Sequence, residues 1–206
     1  MKKHKIEQRQ ETPDERRRPG PQGTLRVALI GVFAALSYIG FQFLRIDIPV
    51  AGGKTAFHMG NVFLLSAALL LGPLSGALAG SIGMTIADLT SGYALYAPTT
   101  FFLKFCIGLI TGLVAHKAGR LYLREEPKER ILWSGLGAAA GILFNIIFDP
   151  LVGYFYKRFL LKVPVDAAAL LAKAASVTTA VNGVLAIILS VIIYQALTPL
   201  RKSWQD

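Results

Sequence analysis

Residues 59–88 read MGNVFLLSAALLLGPLSGALAGSIGMTIAD, a stretch with no charged side chain before its final Asp88. An apolar run of about 18 residues or more can cross the hydrocarbon core of a bilayer as a helix. The whole chain is also rich in apolar residues and poor in charge. Of its 206 residues, 53% are hydrophobic and only 17% are charged, whereas in soluble domains about 25% of the residues are charged. The sequence therefore predicts an all-α integral membrane protein.

The sequence does not contain the motifs that are typical of several classes of function. The single Cys106 cannot form an intrachain disulfide, and no zinc-ligand spacing, phosphate-binding G-x-x-x-x-G-K-[ST] motif or G-x-S-x-G motif occurs. We therefore expect no metal, no cofactor and no ATP hydrolysis in this chain. The net charge of +10 could suit nucleic acid, but most basic residues flank apolar spans, as is usual in membrane proteins. A nucleic-acid partner is not expected.

The chain divides into a polar tail, a membrane domain and a short C-terminal tail. Residues 1–23 are charged and interrupted by Pro and Gly, which predicts a disordered basic cytoplasmic tail. Residues 24–200 are predicted to form a bundle of six transmembrane helices, and 201–206 a cytoplasmic tail. The predicted spans are 24–44, 58–71, 73–91, 99–118, 131–148 or beyond, and a last span that starts between 167 and 178 and ends near 197.

Spans two and three have a rival interpretation as one kinked helix. A single helix over both would have about 34 residues and a length of roughly 50 Å. This is too long for one crossing of a bilayer about 30 Å thick, so two spans are preferred.

The basic residues predict the orientation of the chain in the membrane. If the N-terminus is cytoplasmic, fifteen Lys and Arg residues flank the spans on the inner side and five on the outer side. Cytoplasmic flanks are enriched in Lys and Arg. We therefore expect both termini in the cytoplasm of a bacterial cell, with the protein a multi-pass protein of the plasma membrane.

This topology brings polar side chains from several spans to one level near the outer face. Polar groups in hydrocarbon are costly without partners, so such residues are candidates for function. Aromatic rings beside hydrogen-bonding groups suit a flat, heteroaromatic, water-soluble ligand. The candidate substrate-binding residues are Lys54, His58, Asn61, Asp88, Tyr93, Tyr96, Lys104, Asn145, Asp149 and Asn182.

Each of the main candidates also has a purely structural interpretation. Asp88 could lie in the wet headgroup zone or form an ion pair with Lys104, and Lys104 could snorkel to the surface. Asn182 could hydrogen-bond to a neighbouring helix. Tyr93 and Tyr96 could belong to an interfacial aromatic belt.

Small residues recur along the predicted helices at spacings that allow close helix packing. In the first span they are Ala28, Gly31 and Ala35. This stripe is either another internal seam or a flat face for a partner helix, and the sequence leaves both open.

Residues 57–104, FHMGNVFLLSAALLLGPLSGALAGSIGMTIADLTSGYALYAPTTFFLK, resemble the substrate-binding S components of energy-coupling-factor (ECF) vitamin transporters. The motifs that carry the resemblance are H-x-G-N, GP-x-x-G-x-x-x-G and ADL-x-SGY-x-x-YAP. The likeness is strongest to the branch with riboflavin-type and hydroxymethylpyrimidine/pyridoxine-type S components, and it covers roughly residues 24–200.

The resemblance implies a six-helix receptor that binds one vitamin or precursor near the extracellular side and is not an enzyme. It implies assembly with a transmembrane T component and two cytoplasmic ABC-type ATPases, whose ATP hydrolysis reorients the S component in the membrane. T components dock on small residues of the first helix, commonly Ala-x-x-x-Ala. In this sequence Val32 occupies the position of the second Ala, four residues after Ala28, whereas Gly31 and Ala35 keep the four-residue spacing. The resemblance therefore implies that the T component docks at Ala28, Gly31 and Ala35.

The resemblance also implies that the first outer loop contributes to the pocket. This loop reads RIDIPVAGGKTAF, and its Gly52-Gly53 pair would permit a tight turn in a lid.

Three classes of function follow. The preferred one is a vitamin-binding transport subunit, for which pyridoxine and hydroxymethylpyrimidine are favoured while riboflavin, pantothenate or a queuosine precursor stay open. A self-sufficient secondary transporter would be expected to show inverted repeats, which are not visible between spans one to three and four to six. An intramembrane enzyme using Asp88, His58 and Lys104 lacks a paired-carboxylate or His-rich motif.

Overall fold

The computed structural model describes residues 23–50 and 53–202. The tails predicted at the two ends fall almost wholly outside these residues, although Gly23, assigned to the N-terminal tail, is already helical. Residue 52 of the predicted Gly52-Gly53 turn also lies outside the described part of the chain.

Six helices make up most of the described chain, close to the predicted spans. Helices α4 and α5 each continue into a wider π-helical turn, at Leu113–Ala118 and Tyr156–Leu160. The helix bounds are α1 Gly23–Gln42, α2 Gly60–Leu71, α3 Pro73–Thr90, α4 Ala97–Gly112, α5 Pro127–Phe155 and α6 Val165–Lys202.

Within residues 23–50 and 53–202, four helical segments are long and apolar enough to cross a membrane. They are Gly23–Gln42, Ala94–Ala118, Pro127–Leu160 and Val165–Leu200. Helix α2, with 12 residues, is only about 18 Å long, and eleven of those residues are buried. It therefore lies within the bundle and contacts all five other helices.

Helices α2 and α3 are separate and antiparallel, which supports two helices over one kinked helix. Gly72 joins them with φ of 89°, a conformation that glycine adopts without a steric penalty, and Pro73 occupies the favoured first position of α3. A Cβ atom at Gly76 would overlap the backbone of Ala68 in α2. The two helix backbones are thus in direct contact.

The connection between α1 and α2 is a β-hairpin, which the all-α expectation did not include. Strand β1, Arg45–Val50, pairs antiparallel with β2, Gly53–His58, so that Arg45 lies opposite His58. Alternating β-branched residues in RIDIPV favour an extended strand. His58, predicted at the start of the second span, belongs to β2 instead.

The antiparallel order of the later helices sets the position of the polar residues. Close contacts such as Gly83 against Ala34 and Gly108 against Ala77 hold α3 to α1 and to α4. The end of α3, the start of α4, the end of α5 and the start of α6 therefore lie at one end of the bundle. The hairpin lies at the same end, in contact with α6.

Candidate functional site

A cavity of about 150 Å³ opens at this end of the bundle, lined by β2 and by side chains from all six helices. The sequence predicted that polar residues distant along the chain would meet here, and the structure brings all ten candidates to the cavity wall. They are Lys54, His58, Asn61, Asp88, Tyr93, Tyr96, Lys104, Asn145, Asp149 and Asn182.

The deep part of the cavity contains buried polar groups without hydrogen-bond partners. Asn61 and Asn145 are each 1% exposed and Asp88 is 2% exposed. Among the residues that the structure describes, no hydrogen-bond partner is found for Asn61 Oδ1, Asn145 Oδ1, Asp88 Oδ2 or His58 Nδ1. Buried polar atoms in folded proteins are nearly always hydrogen-bonded, so these atoms mark a place where a polar molecule fits.

Lys104 and Asp88 do not form the ion pair that was one interpretation of the sequence. The two charges interact electrostatically, and Asp149 acts on Lys104 as well. Among the described residues, however, no salt bridge involves Lys104. Lys104 is also 7% exposed, so the snorkelling interpretation is wrong.

The hairpin is fastened to α6 beside the cavity. The hydroxyls of Thr55 and Thr178 are 2.8 Å apart. Asn182 donates from Nδ2 to the carbonyl oxygen of Ala56 at 3.0 Å and accepts from the backbone N–H of His58 at 3.1 Å. Asn182 therefore bonds to the hairpin, rather than to another helix as the structural interpretation held.

His58 presents a neutral ring to the cavity. Burial, together with the positive charges of Lys104 and Arg45, lowers the pKa of His58 to about 3. The ring packs at 4.6 Å, centroid to centroid, from Phe41. A neutral imidazole carries one donor and one acceptor nitrogen.

At the rim, Asp47 joins the two strands to the loop after α3. Its carboxylate lies 3.1 Å from both Arg45 Nη2 and Lys54 Nζ, and it accepts a hydrogen bond from the Tyr93 hydroxyl at 3.2 Å. Partial burial opposes ionisation, but the Lys54 hydrogen bond and the charges of Arg45 and Lys54 outweigh it and lower the pKa of Asp47. Burial and the Asp47 charge raise the pKa of Tyr93.

Aromatic rings form one side of the cavity. Tyr93 lies 6.5 Å from Phe41 and 6.2 Å from Tyr96, measured between ring centroids. Lys54 Nζ is 4.4 Å from the Tyr93 ring, and Lys157 Nζ is 5.0 Å from the Tyr96 ring. Tyr93 is only 9% exposed, so it faces the cavity and not a lipid interface.

Several lining residues were not among the candidates predicted from the sequence. Thr179 donates to Asp149 Oδ2 at 2.8 Å, and Thr178 bonds to the hairpin. Their spacing from Asn182, three and four residues, places all three on one face of α6 and was an available signal. Lys157 was counted only as a loop charge, although helical geometry continued from α5 carries it two turns beyond Asp149.

The small-residue stripe of α1 faces outward at a different surface. Ala28, Gly31 and Ala35 are all exposed. No atom lies within 4 Å of a Cβ built on Gly31. Within the part of the chain that the structure describes, the stripe is therefore not an internal seam.

Three comparisons with known proteins bear on this arrangement. A family model for the ECF-type riboflavin transporter, S component, matches residues 22–199. An uncharacterized protein in a gap 3′ region of Pyrococcus woesei is 38% identical over 69 residues, which are 34% of this chain and 45% of that protein. The match thus spans less than half of the relative's length. No solved structure matches the chain.

The family match covers most of the chain and includes every residue of the cavity wall. Its members are transporter subunits rather than enzymes, and the long apolar helices agree with a multi-pass membrane protein. The chain belongs to the family of ECF-type transporter S components.

Proposed function

We propose that this chain is the high-affinity substrate-binding subunit of an ECF-type importer, and that the cavity beneath the hairpin binds a vitamin or vitamin precursor. The observation that carries the proposal is the convergence of ten polar and aromatic residues on one cavity whose deepest polar atoms have no partner. A buried polar atom without a partner also occurs elsewhere, as at Gln195, but four such atoms on one cavity wall support a bound polar molecule.

The cavity faces the outside of the cell in this proposal. The charge count of fifteen inner against five outer Lys and Arg residues supports this orientation, with six spans and both termini in the cytoplasm. The hairpin then covers the site from the outer side.

Transport is coupled to ATP through other subunits. The exposed stripe Ala28, Gly31 and Ala35 offers a flat helix face on which the T component docks, because small side chains allow two helix backbones to approach closely. Two ABC-type ATPases hydrolyse ATP, and this chain needs no cofactor of its own.

The substrate is a small heteroaromatic molecule of the pyridoxine or hydroxymethylpyrimidine type. Its ring stacks beside Tyr93 and Tyr96, whose faces favour aromatic contacts. Its polar edge meets Asp88, Lys104 and Asn145.

Two measurements on the purified chain test the proposal. Mass spectrometry of small molecules retained in detergent should identify a vitamin or precursor, and calorimetric titration should confirm that it binds. Affinity purification from native membranes should recover a T component and two ATPases. Liposomes containing this chain alone that accumulate substrate would instead identify a secondary transporter.

A further inference from the structure

The unpartnered atoms of the cavity specify the hydrogen bonds that a ligand must supply. Three of them, Asn61 Oδ1, Asn145 Oδ1 and Asp88 Oδ2, are acceptors. Lys104, which has donors only, makes no hydrogen bond or salt bridge to the described residues. The complementary ligand therefore carries several donors and at least one acceptor.

The charges of the inner cavity favour a neutral ligand. Among the lining residues, Asp88 and Asp149 contribute two negative charges and Lys104 and Lys157 two positive charges. The remaining lysine of the wall, Lys54, is paired with Asp47 at the rim. A phosphate or carboxylate would be brought close to buried Asp88, and a cation close to buried Lys104. Either would leave an uncompensated like-charge contact in a poorly solvated place, which is costly.

The volume suits a ligand of about one ring. A cavity of about 150 Å³ accommodates a molecule of benzene size, and the volume found here is about 150 Å³. Sites for larger, drug-sized ligands measure about 300–1,000 Å³.

We propose that the cavity selects a neutral, amino-substituted, single-ring nitrogen heterocycle, an inference that rests on the proposed function. An unprotonated ring nitrogen accepts a hydrogen bond from Lys104. The adjacent amino group donates to Asp88 Oδ2, and the remaining donors of the ligand face Asn61 and Asn145. One amino group supplies two N–H donors, whereas the single N–H of a cyclic amide would leave more of these acceptors unpaired.

Ligand analogues test the inference on the unaltered chain, so that no variant has to fold. The probes are hydroxymethylpyrimidine, its dimethylamino analogue, its phosphate ester and riboflavin, each titrated calorimetrically against protein freed of retained ligand. We expect hydroxymethylpyrimidine to bind at least about tenfold more tightly than the dimethylamino analogue, because the latter leaves Asp88 Oδ2 unpaired. The phosphate ester should not bind detectably.

Two variants locate the contacts. Asp88→Asn and Lys104→Met should each weaken binding of hydroxymethylpyrimidine at least about tenfold. Asp88→Asn should have a much smaller effect on the dimethylamino analogue, since that analogue has no N–H to lose. Asp166→Asn and Lys128→Met, the same changes at exposed positions outside the cavity, serve as matched controls and should bind normally.

Equal affinity for the amino and dimethylamino probes, or tight binding of the phosphate ester, would overturn the inference. Binding of riboflavin without binding of hydroxymethylpyrimidine would also overturn it, while the proposed transport function would stand. Failure of the proposed function is recognised separately, by the absence of a T component and ATPases from the purified complex.

Discussion

Asn182 joins two parts of the molecule that are far apart in sequence. Its side chain accepts from the N–H of His58, 124 residues away, and donates to the carbonyl oxygen of Ala56. Both bonds engage backbone groups of β2 that have no strand on that side. Asn182 thus supplies two of the hydrogen bonds that hold the hairpin over the cavity, beside those of Thr178 and Tyr93.

Replacing this amide should loosen the hairpin and weaken ligand binding. Asn182→Leu leaves two backbone groups unpaired, which costs about 1–3 kcal/mol for each buried group. We expect a lower unfolding temperature in detergent and a loss of affinity in calorimetric titration.

Gln195 provides the control on the same helix. Its Nε2 is buried and has no partner in the described part of the chain, and the residue lies outside the cavity wall. Gln195→Leu should leave ligand affinity unchanged and stability unchanged or higher. A similar loss of affinity in both variants would contradict the role assigned to Asn182.

Asp47 makes the stability of the hairpin sensitive to acid. Its pKa in the folded protein is lowered below the ordinary value of about 3.9. The stabilisation is therefore complete above that value and is lost as the pH falls through the folded-state pKa. The unfolding temperature of the unaltered chain should exceed that of Asp47→Asn by a constant margin from pH 8 to pH 5, and the margin should shrink below about pH 4. A margin that already closes between pH 7 and pH 5 would show that another group controls it.

At the scale of elements, glycines inside the bundle and glycines on its outer face contribute differently to helix packing. A side chain at Gly76 would collide with the backbone of Ala68, whereas a Cβ atom at Gly31 has no described neighbour within 4 Å. The first glycine permits helix contact inside the bundle. The second keeps an outer face of α1 flat.

The same substitution at these two positions should have different outcomes. Gly76→Leu should prevent folding, because overpacking against a backbone cannot be relieved by a side-chain movement. Gly31→Leu should fold and bind ligand normally, and its free energy of unfolding should be unchanged or raised by up to about 1 kcal/mol. The same variant should abolish uptake in cells that contain the T component and ATPases. Normal uptake by Gly31→Leu would exclude this face of α1 as the docking surface.

At the scale of the whole molecule, the outer surface of the bundle is that of a protein in lipid. Large apolar side chains such as Val27, Phe102 and Ile192 are 57–69% exposed. Apolar surface of this extent is not left open to water in soluble proteins. The polar side chains of the cavity wall, by contrast, lie inside the bundle at one end.

Cysteine labelling should report which end of the bundle faces the outside. The only native cysteine is Cys106, so a Cys106→Ala chain is a suitable background. Asp166→Cys, at the cavity end, should react with a membrane-impermeant maleimide in intact cells. Lys128→Cys, at the opposite end of α5, should react only after permeabilisation. The reverse pattern would place the cavity on the cytoplasmic side.

The sequence by itself determined that the chain is a membrane-embedded helical bundle and which polar residues meet. Long uncharged runs have one stable solution in a bilayer, because a helix satisfies its own backbone hydrogen bonds. The Gly72-Pro73 break separated two of the helices, and alternating helix directions then brought Asp88, Lys104 and Asn145 to one end.

Only the tertiary structure decided how these groups are partnered. The hairpin, its attachment through Asn182 and the separation of Lys104 from Asp88 depend on contacts between segments that are distant in sequence. The direction in which the α1 stripe faces is fixed in the same way, by helices that pack elsewhere on α1. Local patterns specify which residue types lie on a face, whereas packing between elements determines what that face meets.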